Sequence, residues 1–184
     1  MAEEHVQLAQ RCLAGDTDAL RLFVQTYQQQ VYALCYRMLG HREDAEDTAQ
    51  ESLMRAVRYL GSWDRTQPLT PWVMKIAANR CRTALSKRSR LPALADLEYS
   101  AGVTDESEGA ALGEELQLAL GVLQEQQRAC FVLFYQQELS VAEISEIMKT
   151  PSGTIKTWLH RSRKLLAEQL RNRGLDPGTT ESAR

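Results

Sequence analysis

Apolar residues recur at three- and four-residue steps along most of the chain, and the alternation of a strand is nowhere sustained. Leu20, Phe23, Val24, Tyr27, Val31, Leu34, Cys35 and Met38 predict one long helix, capped by Asp16 and stopped at Gly40. A second is expected from about Glu43 to Leu60, with Ala45, Ala49, Leu53, Ala56, Val57 and Leu60 facing inward. Thr70 followed by Pro71 reads as an N-cap and a first helical position, opening a third helix through Val73, Ile76, Ala77, Cys81 and Ala84. Trp72 is assigned to the core. The period breaks over residues 91 to 111, which are rich in Gly, Ser and acids, and resumes at Leu116, Leu120 and Leu123, then at Ala129, Val132, Leu133 and Tyr135.

The last part of the chain has a more specific pattern. Ser140 precedes Glu143 by three residues, the capping-box spacing, and a short helix through Val141, Ile144, Ile147 and Met148 must end near Thr150 because Pro151 follows. Ser152 can cap the next helix. There, steps of 100° put Ile155, Leu159, Ser162 and Leu166 on one side, with Trp158 and Leu165 at its margin. Gly153, Lys156, Thr157, His160, Arg161 and Lys164 fall opposite. A short helix, a tight turn and a longer helix with a cationic outer face is the helix-turn-helix plan, in which the second helix enters a major groove. The expected fold class is therefore all-α: two small helical domains, residues 1–92 and 112–175, joined by an acidic linker at 93–111, the second a helix-turn-helix domain. Residues 176–184 read as a disordered tail.

Charge sharpens this picture because it is segregated. The formal net charge is only −2, yet Glu43 to Glu51 holds five acids and no base, and Val73 to Pro92 six bases and no acid. Ala93 to Gln127 holds eight acids and no base, and Lys149 to Arg173 seven bases against Glu168 alone. Each block sets its own field within a Debye length of roughly 8 Å, so each can have its own partner. Other classes recede. No apolar run approaches the ~20 residues of a membrane span, and Glu3, Glu4, His5 and Arg11 interrupt the start, so no signal peptide, no membrane insertion and a cytoplasmic location are expected. Cys12, Cys35, Cys81 and Cys130 are too scattered for a zinc or redox motif and read as reduced thiols. His5, His41 and His160 lie in separate segments with no nucleophile or metal spacing around them, so neither catalysis, a metal nor a cofactor is expected.

The motifs together resemble a known family. AEISEIMKTPSGTIKTWLHRSRKLL is similar to the promoter-reading helix-turn-helix of bacterial RNA polymerase sigma factors, and EDAEDTAQESLMRAVRYLGSWD and PWVMKIAANRCRTALSKRSR to their core-binding and melting regions. The resemblance spans about residues 8 to 172 and is to the compact extracytoplasmic-function (group IV) members. It implies a non-enzymatic subunit that binds polymerase core and promoter DNA. It implies core docking through Asp44, Glu46, Asp47, Gln50 and Glu51, and opening of the minus-ten element by the loop GSWDRTQPLT with Trp63, Asn79, Arg80, Arg82, Lys87 and Arg88. Minus-thirty-five contacts fall to Ser152, Thr154, Lys156, Thr157, His160, Arg161, Arg163 and Lys164, with Trp158 where a basic residue is common. It also implies an anti-sigma partner, which can hold the protein at a membrane, and an acidic linker threading the polymerase cleft. The alternative is a free-standing helix-turn-helix repressor or activator, which would need a dimer interface that the chain does not display.

Overall fold

Asp16 opens the second helix as its position predicts, its carboxylate accepting from the backbone N–H groups of Asp18 and Ala19, both at 3.0 Å. The bond from Ala19, then that from the Arg11 side chain, holds this carboxyl below the usual carboxylate range. The computed structural model describes residues 2–88 and 116–173, and these fall into two compact units. In the first, α1 (Ala2–Leu13), α2 (Thr17–Leu39), α3 (Arg42–Tyr59), a 3-10 turn (Leu60–Ser62) and α4 (Leu69–Arg88) follow one another. In the second, residues 116–120 are helical and precede α5 (Glu125–Tyr135), α6 (Val141–Met148) and α7 (Ser152–Asn172). Every regular element among the described residues is helical. The expected linker at 93–111 and tail at 176–184 lie outside them.

In the first unit α2, α3 and α4 pack against one another and α1 lies on α2. Phe23, Tyr27, Val31, Leu34, Cys35 and Met38 of α2 are buried, with the Phe23 and Tyr27 rings 5.0 Å apart. Full burial of side chains such as Phe23, Leu34 or Met74 contributes roughly 1.5–3 kcal/mol each. The facing surface of α3 is built from small residues, Ala45, Thr48, Ala49, Ser52 and Ala56, which let the neighbouring helices come close. Gly40 ends α2 at φ 79°, a left-handed conformation that glycine adopts without a Cβ penalty. All four cysteines are free and buried. The adjoining Cys35 thiol and burial push the Cys81 thiol up, and burial pushes Cys130 up to about 12.

Three local expectations need correction. Helix α4 begins at Leu69, so Thr70 and Pro71 lie inside its first turn rather than at its N-cap and first position. Proline is tolerated there because the first four N–H groups of a helix lack intrahelical partners. Ser152 does not cap α7: Pro151 holds the cap position with φ −55° and ψ 140°, and Ser152 is the first helical residue. The third concerns a tryptophan. Trp63, which reads as a core anchor ahead of a ring for stacking on DNA, is only 6% exposed and donates its indole N–H to the Gln67 carbonyl at 3.1 Å, in keeping with an anchor, whereas Trp72, assigned to the core, is half-buried.

The second unit is a helix-turn-helix. Both halves of the Ser140–Glu143 capping box form, and α6 buries Ile144, Ile147 and Met148. The turn passes through Lys149 at φ 52° and is fastened by Ser145, whose hydroxyl donates to the Thr150 carbonyl at 2.6 Å. Ile155, Leu159, Ser162 and Leu166 of α7 are buried as their spacing predicts. Helix α5 packs on α7, where the Cys130 thiol reaches the Ile155 carbonyl at 3.8 Å.

Candidate functional site on three charged helix faces

Helix α3 carries the first face. Its buried residues recur every three or four positions, so Glu43, Asp47, Gln50, Met54 and Arg58 share the opposite, exposed side. Asp44, Glu46 and Gln50 are exposed and Glu51 half-buried. Glu46 accepts from Arg42 at 2.8 Å, and Asp44 is a loose 3.8 Å from Arg88. Asp47 and Gln50 have no partner among the described residues. Sequence reasoning missed Met54, which is 60% exposed between the acidic stretch and Arg58 on this face. It lies seven residues beyond Asp47, a step of two turns that keeps it on the same stripe.

The second face belongs to α4. Its buried residues Leu69, Val73, Ala77 and Cys81 leave Trp72, Asn79 and Arg82 on the other side, an aromatic ring, an amide and a guanidinium spread along about three turns. Lys87 is exposed near the end of the helix. Two residues expected with them are held elsewhere. Arg80 folds back onto α3, where its Nη2 donates to Glu51 Oε2 at 2.5 Å, and Arg55 Nε donates to Glu51 Oε1 at 3.1 Å. Partial burial disfavours the Glu51 charge, but these two arginine bonds outweigh it and hold the carboxyl below its ordinary range. Arg88 Nη2 lies 2.8 Å from His41 Nε2. The acids named for docking and the cations named for DNA thus meet between α3 and α4, which sequence spacing could not reveal.

Before α4, the loop from Trp63 to Pro68 is held in shape by Asp64, whose carboxylate accepts from the Thr66 N–H at 3.0 Å and its hydroxyl at 2.8 Å. A cavity of about 330 Å³ lies beside it, with Val6, Trp63 and Leu69 as apolar walls and His5, Thr66 and Gln67 as polar ones.

The third face is that of α7. Ser152, Lys156, Thr157, His160, Arg161, Arg163 and Lys164 are all exposed and Thr154 is half-buried. Thr157 returns its hydroxyl hydrogen to the Gly153 carbonyl at 2.9 Å, so toward a ligand it offers acceptor lone pairs. Among the described residues no acid pairs with Lys156, Arg161, Arg163 or Lys164. Trp158 is half-buried at the margin, which keeps it against the fold.

These faces fall on two matched families. Residues 23–91 match Sigma-70 region 2 and residues 113–166 match Sigma-70 region 4. The chain is 36% identical over 172 residues to the ECF RNA polymerase sigma factor SigW of Bacillus subtilis, covering 86% of this chain and 92% of that protein. The chain belongs to the ECF sigma factors of RNA polymerase. This sigma factor shares its fold with two solved ones. One is the sigma factor RpoE of Bartonella quintana, in complex with the anti-sigma factor NepR, at 22% identity and a TM-score of 0.66, covering 82% of this chain and 96% of that one. The other is CnrH, in complex with the cytosolic domain of CnrY, at 20% identity and a TM-score of 0.65, covering 90% and 96%. As an RNA polymerase sigma factor it binds the polymerase core and promoter DNA. The α3 and α4 faces lie within the region 2 match, and most of α7 within the region 4 match.

Proposed function

We propose that the three faces divide the work of initiation among them. The outer face of α3 docks on the polymerase core through Asp44, Asp47, Gln50 and Glu51, with Met54 as an apolar anchor at the end of the acidic stretch. Acids beside an exposed apolar side chain suit a cationic partner surface, since the charges steer and the apolar group is desolvated on contact. The outer face of α4 carries the separated strand of the minus-ten element: Trp72 offers a ring on which a base stacks, and Asn79, Arg82 and Lys87 track the backbone. The cavity beside Trp63 receives one unstacked base, whose flat faces meet apolar walls and whose edge meets polar ones. Here Trp63 forms a wall of the receptor instead of a stacking surface.

Helix α7 reads the minus-thirty-five element. Lys156, Thr157, His160 and Arg161, in its N-terminal half, approach base edges with Ser152 and Thr154, while Arg163 and Lys164 reach phosphates. The protein performs no chemistry itself and acts in the cytoplasm. Among the described residues no helix is long and apolar enough to cross a membrane. An anti-sigma protein holds it inactive, a reading supported by the complex with an anti-sigma factor in which RpoE was solved. The observation that carries the proposal is the third face, four exposed cations on α7 without a paired acid. Docking is tested separately by reversing Asp44 and Asp47 to Lys together. The double variant should keep its helicity and lose polymerase binding, and normal binding by the folded variant would exclude α3 as the docking surface.

A further inference from the structure

Arg80 sits in an arrangement that is incomplete for an arginine. Its Nη2 is committed to Glu51, its side chain is only 22% exposed, and its Nε is buried without a hydrogen-bond partner. A guanidinium left with an unsatisfied donor gains by moving to a site that satisfies it, and a phosphate oxygen is such a site. Glu51 has a second guanidinium, Arg55, on its other oxygen, so the carboxylate serves both helices at once. It also lies on the acidic face of α3, whereas Arg80 belongs to the helix that carries the DNA-facing residues of the first unit.

We propose that Glu51 is a latch: in the free chain it holds Arg80 away from DNA, and docking of α3 on a cationic surface takes the carboxylate and releases Arg80 to the single strand. This rests on the reading of α3 as the polymerase-docking face. Core binding and strand engagement are then coupled through one ion pair. A cation presented by the polymerase competes with Arg80 for Glu51, and the strand competes with Glu51 for Arg80. Each partner therefore favours the other by the same factor. Asp47 is an internal control, since it shares the face with Glu51 but holds no arginine.

The test uses the full chain and a short fluorescent single-stranded DNA of random sequence, with affinity measured across a salt series. Glu51→Gln keeps the shape and removes the charge. It should raise affinity by about threefold or more and steepen the dependence of log K on log salt by about 0.7, the increment for one added phosphate contact on a single strand. Asp47→Asn should leave the slope unchanged. The gain should vanish when Glu51→Gln is combined with Arg80→Gln. A gain that persists without Arg80, or an equal gain from Asp47→Asn, reports bulk charge and overturns the latch. Polymerase affinity of the same variants separates the two readings. If Glu51→Gln weakens core binding but leaves single-strand affinity and slope unchanged, the docking face stands and the latch is wrong. If it strengthens single-strand binding with no effect on core binding, the docking role of Glu51 fails and with it the handover.

Discussion

Met54 is an unbranched apolar side chain held in water at 60% exposure, an arrangement that folding alone does not require. Met54→Ala should therefore leave thermal stability within about 0.5 kcal/mol of wild type, because an exposed position loses little packing. The same change should weaken polymerase binding by roughly 1–2 kcal/mol if the side chain fills a pocket on the partner, as titration against core polymerase would show. Ser162 presents the opposite case. It is fully buried in α7 and its hydroxyl has no hydrogen-bond partner, so it acts as a small residue at a helix contact. Ser162→Ala removes an unsatisfied hydroxyl and should be neutral or stabilising by up to about 1 kcal/mol in denaturant unfolding, with DNA binding unchanged. The four thiols follow from burial as well. The folded protein should resist alkylation and react at Cys12, Cys35, Cys81 and Cys130 only on unfolding, as mass spectrometry would register.

Among the elements, the turn between α6 and α7 depends on two local devices that can be tested separately. Ser140→Ala removes both hydroxyl bonds of the capping box and should destabilise the second unit by about 1 kcal/mol. Lys149→Gly acts in the other direction. A lysine at φ 52° bears the left-handed penalty that glycine lacks, so the change should stabilise by about 1 kcal/mol, provided the Lys149 cation makes no contribution of its own. The capping box was legible in the sequence because it is a spacing of two residue types, and the buried stripe of α7 because it is a period. Lys149 was not legible, since nothing in its residue type marks a left-handed turn. The start of α4 was misplaced by two residues because Thr70 and Pro71 suit a helix terminus and its first turn almost equally. The half-burial of Trp72 has a similar cause: Trp63 and Trp72 are both large and apolar, and only the fold decides which ring the packed loop encloses. Candidate residues were found as members of faces. The Glu51–Arg80 and His41–Arg88 contacts were not, because they join residues 29 and 47 positions apart and depend on how α3 and α4 pack.

At the scale of the whole molecule, a net charge of −2 conceals an acidic surface on α3 and basic ones on α4 and α7. A sigma factor needs that separation, since an acidic docking face must not repel the DNA that its neighbours hold. The first unit places α3 and α4, the helices proposed for docking and for carrying the strand, side by side with Glu51 and Arg80 paired between them, while the second unit has its own core and the face proposed for the upstream element. Promoter selection by this chain is proposed to run through α7 at the upstream element. The most direct measurement is selection of promoters from a library randomised at the minus-thirty-five element, by core polymerase reconstituted with the wild-type chain or with variants of α7. Lys164→Ala should weaken binding across all sequences and reduce the salt slope by about one unit, because a phosphate contact carries no sequence information. Lys156→Ala and Arg161→Ala should each cost roughly 1–3 kcal/mol and change the preferred base at particular positions. Loss of wild-type selectivity in the two variants, with transcription from the selected sites otherwise intact, is the predicted result. An unchanged sequence preference in both would contradict the account.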